Sequence, residues 1–125
     1  MSTINNLLKI MDELLAPDGC PWDREQTHES LRPYMIEECQ EAVEAIDGGN
    51  MCALKDELGD VLLQVVFHAK IAEKAGNFTF DDVVNAICHK LTSRHSHIFG
   101  DDKAETAEEV AELWARNKKL ENRKT

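Results

Sequence analysis

The sequence predicts an all-α fold, a helical bundle of about five helices with a four-helix core. Apolar residues recur at helical spacing in five successive segments, helix-start and helix-stop residues separate them, and no Val/Ile-rich alternating run suggests a strand. Ile4, Leu7, Leu8, Met11, Leu14 and Leu15 form the first stripe, opened near Ser2 or Thr3 and closed before Pro17. The stretch PDGCPWDREQT combines two prolines and a glycine and reads as a structured loop carrying Trp22. Ser30 is the expected cap of the second helix, with Pro33 in its first turn, where a missing N–H costs little, and its stop at Gly48-Gly49-Asn50. A third and longest helix runs from about Met51 to Lys74, apolar along Leu54, Leu58, Val61, Leu62, Val65, Ala69 and Ala72, with Gly76 as its stop. Thr79 or Asp81 caps a fourth, in which Val83, Val84, Ile87 and Leu91 face inward, ending near RHSHIFG. Thr106 and Glu109 have the spacing of a capping box for the last helix, whose apolar side holds Val110, Leu113, Trp114 and Leu120; its tail, KKLENRKT, is expected to be frayed or solvated.

With 125 residues, 42% of them hydrophobic, the chain is long enough for one compact domain over residues 1–125 and too short for two. Its formal net charge of −10 opposes binding to a nucleic-acid polymer, so no such partner is expected. No apolar run approaches the roughly 20 residues of a membrane span, and the first residues lack the basic-then-apolar order of a secretory signal; the expectation is a cytoplasmic protein without a membrane partner. Cys20, Cys39, Cys52 and Cys88 form no C-x-x-C pair and are expected to be buried or incidental thiols in a reducing compartment.

The chemistry is concentrated in acidic residues. Residues 37–46, EECQEAVEAI, carry four glutamates on the second helix. At about 100° per residue, Leu31, Met35, Ala42 and Ile46 form the apolar centre of that helix, and Glu38 falls inside it. Glu41 lies at the margin, while Glu37 and Glu44 fall outside. On the third helix Glu57 sits at the edge of the stripe, with Asp60, Gln64 and His68 forming a polar strip alongside. If the two helices fold back through the short Gly-Gly link, Glu38 and Glu41 face Glu57 and Asp60. Four converging carboxylates cannot all stay ionised uncompensated, and a hard divalent cation, Mg²⁺ or Mn²⁺, is the ion such oxygens suit. The bland alternative is a set of solvated acids; two pairs on consecutive helices, one inside an apolar stripe, weigh against it. A di-iron bundle would need E-x-x-H on two helices, and only Glu25 and His28 have that spacing.

Lys90 and Arg94 lie one turn apart near the end of the fourth helix, and Trp114 and Lys118 repeat the spacing on the last. Basic residues also settle at helix C-termini for dipole reasons alone, and a Trp on a stripe is usually core. Together with a metal cluster they fit phosphate chemistry, with cations opposite the metal. No G-x-x-x-x-G-K-[ST] loop is present, which excludes a P-loop nucleotidase.

EECQE at 37–41 followed by ELGD at 57–60, with GCPWDREQT, LLQVVFHA, RHSHIFGD and the Trp114-to-Lys118 spacing, resembles the MazG nucleoside triphosphate pyrophosphohydrolases of the all-α pyrophosphohydrolase superfamily. The resemblance implies Mg²⁺-dependent hydrolysis of a nucleoside triphosphate between its α- and β-phosphates, in nucleotide-pool housekeeping. It implies Glu38, Glu41, Glu57 and Asp60 as metal ligands and Glu37 as an aid to the metal or to the attacking water. Lys90 and Arg94 would hold phosphates, and Trp114 and Lys118, with Trp22 in the loop block, would help enclose the substrate. It also points to a homodimer or homotetramer, in line with long apolar stripes that a short chain covers poorly. Ser96 stands where the resemblance leads one to expect proline, and a looser turn is expected there. The alternative function is a nucleotide- or metal-binding regulatory module with little turnover; a purely structural bundle would leave the inward Glu38 without a reason.

Overall fold

The computed structural model describes residues 1–124, with side chains to Asn122. Seven helices and no strand occur among the described residues: α1 (Ile4–Leu14), α2 (Pro21–Arg24), α3 (His28–Asp47), α4 (Met51–Lys74), α5 (Phe80–Arg94), α6 (Ser96–Phe99) and α7 (Ala107–Lys124). The all-α expectation holds, and two of the seven are single turns that periodicity cannot detect. One of them, α2, lies within the predicted loop; Pro21 opens it at N1, where the ring suits a helix start. The segment KKLENRK continues α7 and is not a frayed tail.

Helix boundaries follow local hydrogen bonding. Thr27, three residues before the expected Ser30, caps α3: its side chain accepts from the Ser30 N–H at 3.0 Å while the Ser30 hydroxyl accepts from the Thr27 N–H at 2.8 Å. Pro33 therefore lies inside the helix, beyond its first turn. At the other end Gly49 adopts φ 66°, and the Asn50 and Gly49 N–H groups donate to Ala45 and Ile46 carbonyls, a Schellman closure. Asn50 then caps α4 by accepting from the Ala53 N–H at 3.0 Å. Three residues thus end one long helix, reverse the chain and start the next.

The chain divides into two compact units, residues 1–80 and 81–125. In the first, α4 packs chiefly along α3 and also against α1. Met11, Leu31, Val66 and Phe67 form its core, flanked by Leu7, Leu8, Leu14, Leu15, Leu63, Ile71 and Phe80. Within this unit the expected four-helix core is three helices plus the first residue of α5. Lys70 ties α4 to α1 through Asp12 at 2.8 Å.

The inward faces differ in part from the predicted stripes. Leu31, Ala42 and Ala45 are buried on α3, whereas Met35 and Ile46 are exposed. On α4, Gln64, Val66, Phe67, Ala69 and Ala72 are buried, whereas Leu58 and Leu62 are exposed. Hydropathy cannot see that the second half of α4 turns a polar strip inward, with Gln64 only 7% exposed. Val84, Ile87, Leu91 and Leu120, expected inward, are also exposed, and Cys39, Cys52 and Cys88 are exposed free thiols, not buried ones.

At the N-terminal end of α3, His28 meets His68 of α4 with Nδ1 atoms 2.8 Å apart. The rings are parallel to within 4° with centroids 5.0 Å apart. That separation is close to the contact distance plus two ring radii, so the rings lie edge to edge with their Nδ1 atoms at hydrogen-bond distance. Burial first, and the neighbouring His28 second, hold the His68 pKa below its ordinary value of 6.5. A histidine depressed in the fold gives stability that is present above about 6.5 and lost as pH falls towards its folded pKa. Thermal denaturation of wild type and His68→Gln from pH 7.5 to 5 is expected to show the difference in Tm narrowing as pH falls. For the reversal, Gly49→Ala is expected to lose about 1–2 kcal/mol in urea denaturation, because a Cβ disfavours the left-handed region.

Candidate metal and phosphate sites

In the first unit, the α3–α4 hairpin brings Glu38, Glu41, Glu57 and Asp60 together, with one oxygen of each within 4.8 Å of the others. Their order is that of an antiparallel pair: Glu41 acts most strongly on Glu57, and Asp60 is the charge acting most strongly on Glu38. Glu38, Glu41 and Glu57 are half-buried and Asp60 is exposed. Glu37 lies beside the cluster, exposed, and adds to the negative potential at Glu38. Trp22 of α2 is 49% exposed and meets Tyr34 edge to face at 5.8 Å.

The electrostatics of the cluster are unfavourable by themselves. Burial, then the charges of Asp60, Glu41 and Glu37, push the Glu38 carboxyl above its ordinary pKa. Glu57 is raised to about 6, first because it can share a proton with Glu41 and then through burial and its acidic neighbours. Once both are ionised no proton remains to share; Glu38 Oε2 and Glu57 Oε2 are then shut off from solvent with no hydrogen-bond partner. Four carboxylates offering only hard oxygens, two of them orphaned, are a donor set that fits Mg²⁺ or Mn²⁺.

The second unit holds the expected cations. Lys90, Arg94 and Lys118 line a cavity of about 760 Å³ with His89, Ser93, Asn117 and Glu121. Lys90 and Lys118 are exposed, whereas Arg94 is 9% exposed. Trp114 lies against Arg94, whose guanidinium carbon stands 4.9 Å from the indole ring centre. Periodicity gave no hint of Ser93, Asn117 or Glu121, because their importance lies in bonds between α5 and α7. Ser96 is N1 of α6, the position proline would favour, and its hydroxyl accepts from Asn117 Nδ2 at 2.9 Å and donates to Asp102. The turn expected to be loose is stitched to α7.

An all-α chain presenting four convergent carboxylates from a helical hairpin belongs to the class of helical proteins with a candidate hard-cation centre. Comparison with known proteins narrows this. Residues 26–99 match the MazG nucleotide pyrophosphohydrolase domain. The chain is 53% identical over 112 residues to the nucleoside triphosphate pyrophosphohydrolase/pyrophosphatase MazG of Thermotoga maritima, covering 90% of this chain and 44% of that protein. It is 46% identical over 115 residues to the nucleoside triphosphate pyrophosphohydrolase of Escherichia coli K12, covering 91% of this chain and 44% of that one. The crystal structure of a mazG-related protein from Thermotoga maritima has the same fold, with a TM-score of 0.76 at 24% identity over 92% of this chain and 98% of that one. The chain belongs to the MazG nucleotide pyrophosphohydrolase domain family. It spans less than half the length of these two curated relatives.

A carboxyl whose pKa is raised in the fold stabilises the protein below its unfolded pKa and ceases to do so as pH rises through the folded value. For Glu57 that window is 4.5 to about 6. In metal-free protein, Glu57→Gln is therefore expected to raise Tm relative to wild type increasingly from pH 4.5 to 7, as followed by circular dichroism.

Proposed function

We propose that the chain is a nucleoside triphosphate pyrophosphohydrolase, hydrolysing NTP or dNTP to the monophosphate and pyrophosphate with Mg²⁺, for which Mn²⁺ can substitute, in nucleotide-pool housekeeping. The observation that carries this reading is the carboxylate cluster, in which two shielded oxygens lack any partner. Membership of the MazG family supports it, as do the names of the relatives. The family match takes in residues of both compact units, in support of a single working domain over residues 1–125.

Glu38, Glu41, Glu57 and Asp60 are assigned as the metal ligands. Mg²⁺ held by them would supply Lewis acidity towards phosphate oxygens and towards water. Glu37, exposed next to Glu38 in the chain, is assigned to orienting the attacking water or steadying the metal. Lys90 and Arg94 are assigned to the phosphates and Lys118 to enclosing the substrate, all three lining a cavity of about 760 Å³ that can admit a nucleotide. Trp114 supports Arg94 by packing against the guanidinium and so encloses the substrate from behind that cation. Trp22, half-exposed on α2, is assigned to the substrate side of the loop block.

A homodimer or homotetramer is part of the same reading. Ile36, Val43 and Ile46 of α3 and Leu58 of α4 are each about half exposed or more in the single chain, a surface a second copy would cover. No helix among the described residues is long and apolar enough to cross a membrane.

A panel of NTPs and dNTPs, assayed for pyrophosphate with Mg²⁺ and then with chelator, tests the activity. At least one substrate is expected to turn over with the metal and none without it; a silent panel would leave a binding module. Glu38→Gln is expected to reduce release at least a hundredfold while helical circular dichroism is retained. Unchanged turnover would remove Glu38 from the site.

A further inference from the structure

Arg94 is more constrained than a free phosphate-binding cation. Its Nε and Nη2 donate to the same oxygen, Oε2 of Glu121, at 3.3 and 3.1 Å. The other oxygen of Glu121 accepts from the Ser93 hydroxyl. Arg94 and Glu121 side chains are 10% and 24% exposed. The guanidinium lies over Trp114, and its main-chain carbonyl accepts from Asn117 Nδ2 at 3.4 Å. Both bonds to Glu121 come from one edge of the guanidinium. A guanidinium has five N–H groups, so those on Nη1 and the second on Nη2 point elsewhere, as an open fork of the kind that grips two oxygens of a phosphate.

We propose that Glu121 is a positioning residue: by occupying the Nε edge of Arg94 it fixes which edge of the guanidinium faces the cavity, and so presets Arg94 to grip a polyphosphate end-on. The proposal rests on the phosphate reading of this cavity and adds the residue that orients its buried cation. The alternative is that Glu121 is a placeholder that an incoming phosphate displaces. Two features oppose that. Each of its oxygens is engaged, and Ser93 first, then Arg94, hold its carboxyl below the ordinary value, so the bonded anion is a stable occupant. Coulomb's law alone would also expect loss of Glu121 to strengthen anion binding, whereas positioning expects geometry to matter more than charge.

Two substitutions separate geometry from charge. Glu121→Asp keeps the charge and withdraws it by one methylene, whereas Glu121→Gln removes the charge and keeps an oxygen for Nε–H and an amide donor for Ser93. Binding of inorganic tripolyphosphate, measured by calorimetry on the full chain, gives a readout independent of turnover. Glu121→Asp is expected to weaken binding about tenfold and Glu121→Gln less than threefold. In an Arg94→Ala background Glu121→Asp should add less than twofold, because its effect runs through Arg94. With NTP as substrate, KM should rise in Glu121→Asp with kcat within threefold of wild type. Tighter binding by Glu121→Gln with a silent Glu121→Asp would overturn the proposal in favour of a placeholder. If Arg94→Ala binds tripolyphosphate as well as wild type, the phosphate reading of the cavity fails and the proposal with it. If Arg94→Ala weakens binding and Glu121→Asp does not, only the role of Glu121 is lost.

Discussion

Repulsion among four carboxylates is the constraint around which the first unit is arranged. Glu38, Glu41, Glu57 and Asp60 are held with oxygens within 4.8 Å of one another; burial first and then the neighbouring acids raise the pKa of Glu38, and proton sharing with Glu41, then burial and the acidic neighbours, raise that of Glu57. Helices free to slide or rotate would relieve it. They are kept in place by packing further along the same hairpin, where Leu31 of α3 meets Val66 and Phe67 of α4 around Met11, and by the three-residue reversal at Gly48-Gly49-Asn50. Burial of Leu31 and Val66, 1% and 0% exposed, offsets a repulsion that the acids alone could not sustain.

One antiparallel register accounts for the successive pairings. Reading α3 backwards and α4 forwards, Glu41 meets Glu57, Glu38 meets Asp60, and His28 meets His68. The hairpin is therefore graded, from an acidic end near the turn, through an apolar middle, to a histidine pair at the start of α3. Strain of this type is common where function requires groups that a stability-optimised core would not place together.

The second unit treats its charges in the opposite way. Arg94 is buried, paired and backed by an aromatic face, and Ser96, Asn117, Asp102 and Arg116 form a network that fastens the short α6 turn to α7. Each buried polar group in that network has a partner, whereas the acid cluster leaves two oxygens without one. The cationic wall thus keeps one fork of Arg94 free on a hydrogen-bonded frame, whereas the acidic cluster has no such frame around its four carboxylates.

Much of this was legible in the chain. The all-α class, the limits of α4 and the grouping of the four acids follow from periodicity, stop residues and E-x-x-E and E-x-x-D spacing, because a helix converts sequence separation into angle. Hydropathy misplaced Met35, Ile46, Leu58 and Leu62, because a stripe tells how apolar a face is and not what covers it. The cap at Thr27 was missed because Ser30, the more obvious choice, is the reciprocal half of the same capping box. What the sequence by itself determined was helical phase, and with it the set of side chains able to share a face. What only the tertiary structure decided was partnership: His28 with His68, Ser96 with Asn117, Glu121 with Arg94. Those bonds join residues at least 21 positions apart, and whether two such groups meet depends on how helices pack, a many-body property that no local pattern encodes.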